Sequence, residues 1–449
     1  MRNVLRAGGL AVLASAAGLA CAQAPSGSQV TLYGLIDMGF EHSDVGTVTA
    51  KRLSSGISTG SRWGLRGQEE LSPGWKAIFT LESRFEADTG TMQNNGSVFT
   101  CANGAVVSCP GLPPPTSAAA AGINSLNQLA LNLASNVNSS NALFDRQAYV
   151  GLVTPVGAVL FGRQYTPGYE TLAKFSAFGE GFAGSPAQLS QTTIRMNNAV
   201  QYRVEKSGFI GSLMYSFGGS EINRNEKTSS PQRGDDFYGG NLQYATDVFG
   251  VGVGYNRNNT ITYAAQNEAR KGLETLSLGG YVATGPFKWF GSFLKAKNSN
   301  PALNPGDLGT ILALTGGNAT QINAQIAPLY LNRGDVDGLR GMVGPVDLKV
   351  FHLGGQWSLS PSGTLIFGYN WAKDTARSAW ATADAKVGVF GLAYLHKLSL
   401  RTQLYASGAI ANNQGQSRVA LGGAGYIGGL TTGQGTDNRV VQLGVRHAF

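Results

Sequence analysis

The segment GWKAIFTLESRFE, residues 74–86, alternates between two kinds of side chain. One set is apolar and consists of Trp75, Ala77, Phe79, Leu81 and Phe85. The other set, with Ile78 as its exception, is polar and consists of Lys76, Thr80, Glu82, Arg84 and Glu86. Because successive side chains of a β-strand point to opposite faces, the segment is predicted to be a strand with one face suited to hydrocarbon and one suited to water.

Segments with the same period of two recur along the chain, from residues 30–40 to residues 439–449, and they number about sixteen. Short connections built on Pro, Gly, Ser or Asp are predicted at 71–75, 154–158, 205–209, 246–250, 283–287, 358–363 and 396–400. Much longer polar connections cover residues 88–141, 166–193 and 298–345. Short turns at one rim and long loops at the other indicate an all-β fold, a transmembrane antiparallel β-barrel with periplasmic turns and extracellular loops.

The composition supports this fold class. Glycine accounts for 63 of the 449 residues, and charged residues make up only 13% of the chain. Such a composition suits many short strands and turns and fits helical bundles badly. The formal net charge is +8, but lysines and arginines do not cluster, so nucleic acid is not an expected partner.

The first 24 residues are predicted to be a cleaved signal peptide. Arg2 and Arg6 precede an uncharged apolar stretch, and Ala22-Gln23-Ala24 matches the small-residue cleavage pattern. Residues 25–449 then form one barrel domain, with no further run of the roughly 18 apolar residues that a membrane-spanning helix needs. The alternative is a lipoprotein anchored at Cys21, although Gly18-Leu19-Ala20 matches that motif poorly.

Two cysteines remain after cleavage, Cys101 and Cys109, both in a long loop. In an oxidising compartment, two cysteines so close in sequence favour a disulfide over a metal site, because the sequence around them shows no set of four metal ligands. We therefore expect neither a metal nor a cofactor.

The chain ends on QLGVRHAF, residues 442–449, which again alternates. If this last strand pairs with the first, the cylinder closes and no sheet edge remains exposed. Phe449 is then predicted to lie in the aromatic girdle at the periplasmic interface. The alternative is the last strand of a soluble β-sandwich.

Five ordered segments carry a resemblance to a known family. They are SQVTLYGLIDMGF (28–40), SRWGLRGQEELSPGWKAIFTLESRF (61–85), DRQAYVGLVTPVGAVLFGRQYTP (145–167), IRMNNAVQYR (194–203) and GVRHAF (444–449). Together they resemble the Gram-negative general porins in their betaproteobacterial form. The resemblance covers nearly the whole mature chain except the long loops.

This resemblance implies a sixteen-stranded barrel in the cell outer membrane, assembled as a homotrimer with a water-filled channel in each subunit. It also implies that the third long loop, residues 165–193, folds inward and narrows the channel. Phe449 resembles the signal read by the barrel-assembly machinery. The expected partners are therefore this machinery, outer-membrane lipid and lipopolysaccharide, and the small hydrophilic solutes and ions that diffuse through the channel.

Four arginines match positions at which the family has a basic cluster across the pore from the third loop, namely Arg62, Arg84, Arg146 and Arg195. Guanidinium suits this role because it stays charged beside other cations. The alternative for each arginine is an ordinary charge of the channel wall, paired with a neighbour. Arg163 is left out of the cluster because the alternation of its strand is ambiguous.

The third loop offers only two carboxylates to face this cluster, Glu170 and Glu180, with Lys174 between them. Four arginines against two carboxylates predict a modest anion preference. This count of charges leaves out five other charged residues, because the sequence does not fix their depth in the barrel or the face on which they lie. They are Asp37, Arg52, Arg66, Glu82 and Glu86.

The predicted function is therefore passive diffusion of small solutes through an outer-membrane channel. An enzyme is not expected, because none of the four histidines has a recognisable active-site setting. An anchor or adhesin is not expected, because the sequence shows no wall-binding domain after the barrel. A substrate-specific channel is the main alternative, although the third loop shows no clustered run of aromatic residues.

Overall fold

The computed structural model describes residues 28–46, 49–90, 92, 143–179, 181–190, 192–217, 236–259, 261–263, 268–270, 272–299, 345–377, 383–417, 419, 421 and 435–449. Most of these residues lie in strands. One α-helix, Pro167–Lys174 (α1), and one 3-10 turn, Pro186–Leu189, lie between them. Among the described residues, no helix has the length and apolar character needed to cross a membrane.

The first ten strands are Ser28–Asp44 (β1), Thr49–Ser55 (β2), Arg62–Ser72 (β3), Trp75–Arg84 (β4), Gln147–Thr154 (β5), Gly157–Tyr165 (β6), Arg195–Lys206 (β7), Phe209–Ser216 (β8), Phe237–Ala245 (β9) and Phe249–Asn258 (β10). The others are Ile261–Tyr263 (β11), Glu268–Arg270 (β12), Glu274–Thr284 (β13), Phe287–Ser299 (β14), Pro345–Ser358 (β15), Gly363–Asp374 (β16), Ala385–Lys397 (β17), Thr402–Gly415 (β18) and Asn438–Ala448 (β19).

The main sheet closes on itself. Consecutive strands pair antiparallel around the cylinder, and β19 pairs with β1 from Leu35 opposite Ala448 to Asp44 opposite Arg439. Strand β1 pairs with β3 along one half and with β2 along the other, so β2 and β3 are two halves of one barrel strand. The result is the expected closed antiparallel barrel of 16 strands.

Two features of the strands were not predicted. Residues 56–61 leave the sheet between β2 and β3, beginning at Gly56, whose φ of +74° lies in the left-handed region that glycine adopts easily. Strands β11 and β12 form a separate two-stranded hairpin beyond the long-loop end of β10. Alternation gives no signal for the interruption, because the strand keeps the same side-chain period on either side of it.

The connections match the predicted alternation of length. Tight turns join β3 to β4, β5 to β6, β7 to β8, β9 to β10, β13 to β14, β15 to β16 and β17 to β18, each at a predicted short connection, and the last of them extends one residue beyond the predicted 396–400. At the same rim, Phe449 and Gly34 exchange two backbone hydrogen bonds, with N···O distances of 3.0 and 3.2 Å. The terminal residue is therefore held in the closing seam of the barrel.

The two faces of the barrel differ as expected for a membrane protein. Large apolar side chains stand exposed on the outer face, and Leu213 and Leu353 each expose 69% of their surface. The inner face carries polar groups such as Gln201, Ser212 and Asn241, which are buried inside the cylinder. An apolar outside and a polar inside are typical of a water-containing barrel surrounded by lipid.

Candidate functional site

The third loop runs from the end of β6 into the interior of the barrel. Helix α1 begins with Pro167, which suits a first helical position because proline has no N–H to leave unbonded. Its first turn is held by the wall, since Gly168 donates its N–H to Asn256 Oδ1 at 2.9 Å. Gln243 Nε2 donates to Thr171 Oγ1 at 3.2 Å one turn later. These bonds confirm that the loop folds inward.

Close approach at the end of α1 depends on glycine in the barrel wall. The ring of Phe175 is fully buried and lies against Gly252 on β10 and Gly279 on β13. A Cβ atom added at these glycines would lie 2.5 and 2.4 Å from Phe175 atoms. Any larger residue would therefore push the loop toward the channel axis.

The tip of the loop reaches the far wall where β2 and β3 are interrupted. Phe182 donates its N–H to the Ile57 carbonyl at 2.9 Å, and its ring meets that of Tyr405 edge-on with centroids 5.4 Å apart. Phe182 has a φ of +61°, a strained value for a residue with a side chain. Such strain persists only where surrounding contacts hold the backbone, so these contacts fix the tip.

A buried carboxylate stabilises this docking point. Asp37 is fully buried, and its Oδ1 accepts a hydrogen bond from the Tyr405 hydroxyl at 2.6 Å. Its Oδ2 accepts from the backbone N–H groups of Ser58 and Thr59 at 3.1 and 2.9 Å. Asp37 therefore satisfies the backbone that the strand interruption leaves without sheet partners.

Strands β15 and β16 hold the middle of the loop. Ala177 donates its N–H to His352 Nε2 at 3.1 Å and accepts from Gln356 Nε2 at 2.6 Å. Asn370 Nδ2 donates to the Gly184 carbonyl at 2.7 Å, and the Asn370 Oδ1 lies 2.7 Å from His352 Nδ1. His352 therefore donates from Nδ1, which leaves Nε2 free to accept from the loop.

The four predicted arginines lie close together on the wall beside the start of the loop. Arg62 and Arg84 are directly opposite each other on β3 and β4. Glu82 joins Arg62 to Arg146, because its Oε1 is 2.7 Å from Arg146 Nε and its Oε2 is 4.0 Å from Arg62 Nε. Each of these four charged side chains exposes less than a tenth of its surface.

A tyrosine connects the third and fourth arginines. The Tyr165 hydroxyl accepts hydrogen bonds from Arg146 Nη2 at 2.6 Å and from Arg195 Nη2 at 2.9 Å. The Arg195 guanidinium also lies over the Tyr165 ring, 4.4 Å from its centroid. Stacking and hydrogen bonding to one aromatic residue suit the planar guanidinium, and lysine could not reproduce them.

Asp145 is a further partner of the cluster. Its Oδ1 accepts from the Arg84 backbone N–H at 2.8 Å, and its Oδ2 lies 3.8 Å from Arg84 Nε. The six charged groups named so far are four guanidinium groups and the carboxylates of Glu82 and Asp145. Together they carry two positive charges in excess.

The first predicted loop carboxylate has a different neighbour. Glu170 Oε2 accepts from Arg203 Nη1 at 2.8 Å, while Arg203 Nη2 donates to Glu205 Oε1 at 2.7 Å. Arg203 lies eight residues along β7 from Arg195, toward a short turn. Glu170 therefore lies on the periplasmic side of the arginine cluster. Glu180 lies outside the described residues, as do Cys101, Cys109 and the predicted signal peptide.

Sequence reasoning missed several of the residues that build this site. Glu82 had a usable signal, because it shares the inner face of its strand with Arg84. No pattern in the sequence points to Tyr165, His352 or Tyr405, since each acts through a partner distant in sequence.

Arg163, which the sequence analysis left out of the cluster, donates to the Asp145 carbonyl at 2.6 Å and to Asn197 Oδ1 at 2.7 Å. No group of His, Cys, Asp or Glu suited to a metal ion occurs within the described ranges.

A family model for Gram-negative porins matches residues 9–416. The chain belongs to the Gram-negative porin family. An outer membrane porin protein of Bordetella pertussis is 26% identical over 440 residues, which cover 90% of this chain and 93% of that protein. Outer membrane porin protein 32 of Delftia acidovorans is also 26% identical, with 98% of both chains covered.

The barrel also resembles solved structures. The anion-selective porin from Comamonas acidovorans superposes with a TM-score of 0.63 at 21% identity, covering 94% of this chain and all of that one. The predicted family and its betaproteobacterial form are confirmed. This porin is accordingly an outer-membrane protein that provides a diffusion channel for small hydrophilic solutes and ions.

Proposed function

We propose that this porin prefers small anions modestly and that Arg62, Arg84, Arg146 and Arg195 set this preference at the constriction. The observation that carries the proposal is the charge balance of the arginine cluster: within the described residues, its four guanidinium groups form ion pairs with two carboxylates, those of Glu82 and Asp145. The anion selectivity named for the Comamonas porin, which has the same fold, also supports it.

The physical argument concerns the local concentration of ions. An excess of positive charge beside a narrow aperture attracts anions and repels cations, and low-dielectric walls strengthen this effect. Salt screens it, because the Debye length falls to about 3 Å at 1 M. The anion preference is therefore expected at low salt and should fade at high salt.

The test is the zero-current potential of the purified porin in a planar bilayer with a salt gradient. The wild type should be anion-selective at low salt, and Arg84→Ser with Arg146→Ser should shift the potential toward cations and raise the conductance. Lys76→Gln is the matched control, because it removes a cation from the same face of β4 near the short turns. A cation-selective wild type, or a double variant with an unchanged potential, would disprove the proposal.

The porin is further proposed to work as a homotrimer without enzymatic activity and without preference for one substrate. The mass of the detergent-solubilised complex tests the trimer, and hydrolase assays on the purified porin test the proposed lack of enzymatic activity. Flux measurements with sugars and with organic anions of equal size distinguish general diffusion from a substrate-specific channel. Saturable flux of one solute would favour the specific channel.

Three further expectations are proposed for the chain. Residues 1–24 are removed on export, which the mass of the mature protein tests. Cys101 and Cys109 form a local disulfide, and labelling of free thiols in the native protein would contradict it. Phe449 serves assembly, so its deletion should lower the amount in the outer membrane while surviving channels conduct normally.

A further inference from the structure

A row of four lysines crosses neighbouring strands on one side of the barrel. Lys295 on β14 lies directly opposite Lys349 on β15. Lys349 is in turn opposite Lys373 on β16, and Lys373 is opposite Lys386 on β17. None of these three pairings contains a register shift. The four lysines therefore form one continuous row along the hydrogen-bonding direction of the sheet.

The lysine row lies on the outer face of the barrel. In a strand, residues two apart share a face, and Lys349 shares its face with Phe351 and Leu353, which expose 46% and 69% of their surface. Phe390, on the same face as Lys386, exposes 50%. The outward direction of these apolar side chains fixes the direction of the lysines.

An aromatic row lies directly beneath the lysines. Phe293, Phe351 and Trp371 each precede or follow a lysine by two residues, and their rings contact one another with centroid distances of 4.8 and 5.8 Å. A second aromatic group lies beside the short turns, where Phe287 stacks on Trp357 at 5.2 Å. These two aromatic groups bracket the apolar band of the barrel, as aromatic girdles do at membrane interfaces.

The position of the row along the strands matches the outer membrane interface. Lys295 lies eight residues beyond Phe287 on β14. At about 3.3 Å per residue and a strand tilt of about 40°, this separation amounts to roughly 20 Å along the membrane normal. Since the apolar band of such barrels is about 25 Å tall, the lysines lie at its extracellular edge, at the level of lipid headgroups.

The row is electrostatically unfavourable within the chain. Like charges directly opposite each other on neighbouring strands destabilise a sheet. Asp384 offsets part of this charge, because its Oδ2 lies 2.9 Å from Lys373 Nζ, and hydrogen bonds from Arg377 and Lys373 hold its pKa at about 2. Within the described part of the chain, Lys295, Lys349 and Lys386 form no ion pair with a carboxylate.

We propose that this lysine row binds the phosphate groups of lipopolysaccharide in the outer leaflet, with the acyl chains lying against the aromatic row. Neighbouring strands are about 4.8 Å apart, so four lysines span about 14 Å. A headgroup that carries more than one phosphate can therefore contact several of them at once. Lysine binds phosphate as a point charge, and its long stem can lie on apolar surface while its ammonium group reaches the headgroup. The proposal concerns the outer face and is independent of ion selectivity in the channel.

The test compares lipid A that carries its phosphates with enzymatically dephosphorylated lipid A, each titrated into the full-length porin in detergent and followed by native mass spectrometry. Phosphorylated lipid A should bind the wild type at least about tenfold more tightly than dephosphorylated lipid A, since each lysine near a charged headgroup adds electrostatic attraction. Replacing all four lysines by Gln should abolish this difference. Lys397→Gln, which removes a lysine from β17 near a short turn, should leave it unchanged.

Several outcomes would overturn the proposal. Equal affinity of the wild type for both forms of lipid A does so without any variant, and therefore decides the matter even if the fourfold variant fails to assemble. Full retention of the phosphate effect in the fourfold variant does so as well. Displacement of bound lipid A by inorganic phosphate at equal phosphate concentration would show a site for free phosphate. Loss of subunit association in the fourfold variant, measured without added lipid, would show that this face joins subunits and does not bind lipid.

Discussion

The third loop meets two walls of the barrel that hold it by different chemistry. Beside its start, the wall of β3 to β7 carries four arginines within a network of carboxylates and one tyrosine. On the other side, β15 and β16 hold it through the imidazole of His352 and the amides of Gln356 and Asn370. The second wall thus fixes the loop without adding charge to the channel.

This difference separates two tasks of the same loop. Neutral hydrogen bonds position the backbone of the loop, and each contributes about 1 kcal/mol of net stability. Buried guanidinium groups cost free energy unless carboxylates and hydrogen bonds offset their desolvation, which Glu82 and Asp145 do in part. Variants of the neutral wall should therefore change the shape of the channel, while variants of the charged wall should change its selectivity.

The largest effect on shape is expected from Gly181→Ala at the loop tip. A Cβ atom at this position would lie 1.5 Å from the Ser58 carbonyl oxygen, so the backbone must move and the bond from Phe182 to Ile57 is lost. Overpacking of this kind costs about 1–3 kcal/mol. Single-channel conductance should rise, and the anion preference should fall less than in the Arg84→Ser and Arg146→Ser variant.

Gly60→Ala is the matched control for this substitution. It adds the same methyl group near the same strand interruption, but the nearest atom is Arg146 Nη1 at 3.5 Å, an ordinary contact. Its conductance should equal that of the wild type. Unchanged conductance and current noise in Gly181→Ala would contradict the docking of the loop tip at Ser58.

A smaller effect on the shape of the channel is expected from Asp37→Ala beneath the tip. The substitution removes both acceptor oxygens and leaves the buried N–H groups of Ser58 and Thr59 without their partner. Each unsatisfied buried group costs about 1–3 kcal/mol. The midpoint of urea unfolding in detergent should fall, and current fluctuations should increase because the tip is less firmly held.

Asp37→Asn distinguishes hydrogen bonding from charge at this position. Its amide oxygen can accept from the two N–H groups, and its amide nitrogen can donate to the Tyr405 hydroxyl, which also accepts. Asp37→Asn should therefore unfold at nearly the wild-type urea concentration. If it is as unstable as Asp37→Ala, the charge of the carboxylate and not its acceptor geometry holds the strand interruption.

The two walls were predictable from the sequence to different degrees. The barrel, its short turns and the inner face of Glu82 and Arg84 follow from a period of two, because that period is a property of each strand alone. The arginines of the charged wall lie on β3, β4 and β7 and just before β5, and the family resemblance was what grouped them. The bond between Ala177 and His352 joins residues 175 positions apart, and no local pattern reports such a contact.

The carboxylate of the loop shows the same limit. Counting charges in the segment predicted that Glu170 or Glu180 faces the arginine cluster. The described partner of Glu170 is Arg203 on β7, and Glu180 lies outside the described residues. The depth to which a loop enters a barrel depends on its contacts with the wall, such as Phe175 against Gly252 and Gly279. Alternation assigns a face to each residue of a strand, but it assigns neither face nor depth to a residue of a loop.

The smallest effect is expected from Arg146→Lys in the charged wall, which keeps the charge and changes only the geometry. Arg146 contacts Glu82 through Nε and Tyr165 through Nη2 at the same time. The single ammonium group of lysine cannot reach both, so about 1–2 kcal/mol of stability should be lost. The zero-current potential should stay close to that of the wild type, because ion selectivity depends on the charge near the aperture more than on its hydrogen bonds. Arg146→Ser, measured in the same salt gradient, should shift the potential clearly toward cations, since one positive charge is lost and the ion pair of Glu82 that remains in the described residues is the longer one, to Arg62 at 4.0 Å. Equal shifts for the two variants would mean that the orientation of the guanidinium group, and not its charge, controls which ions pass.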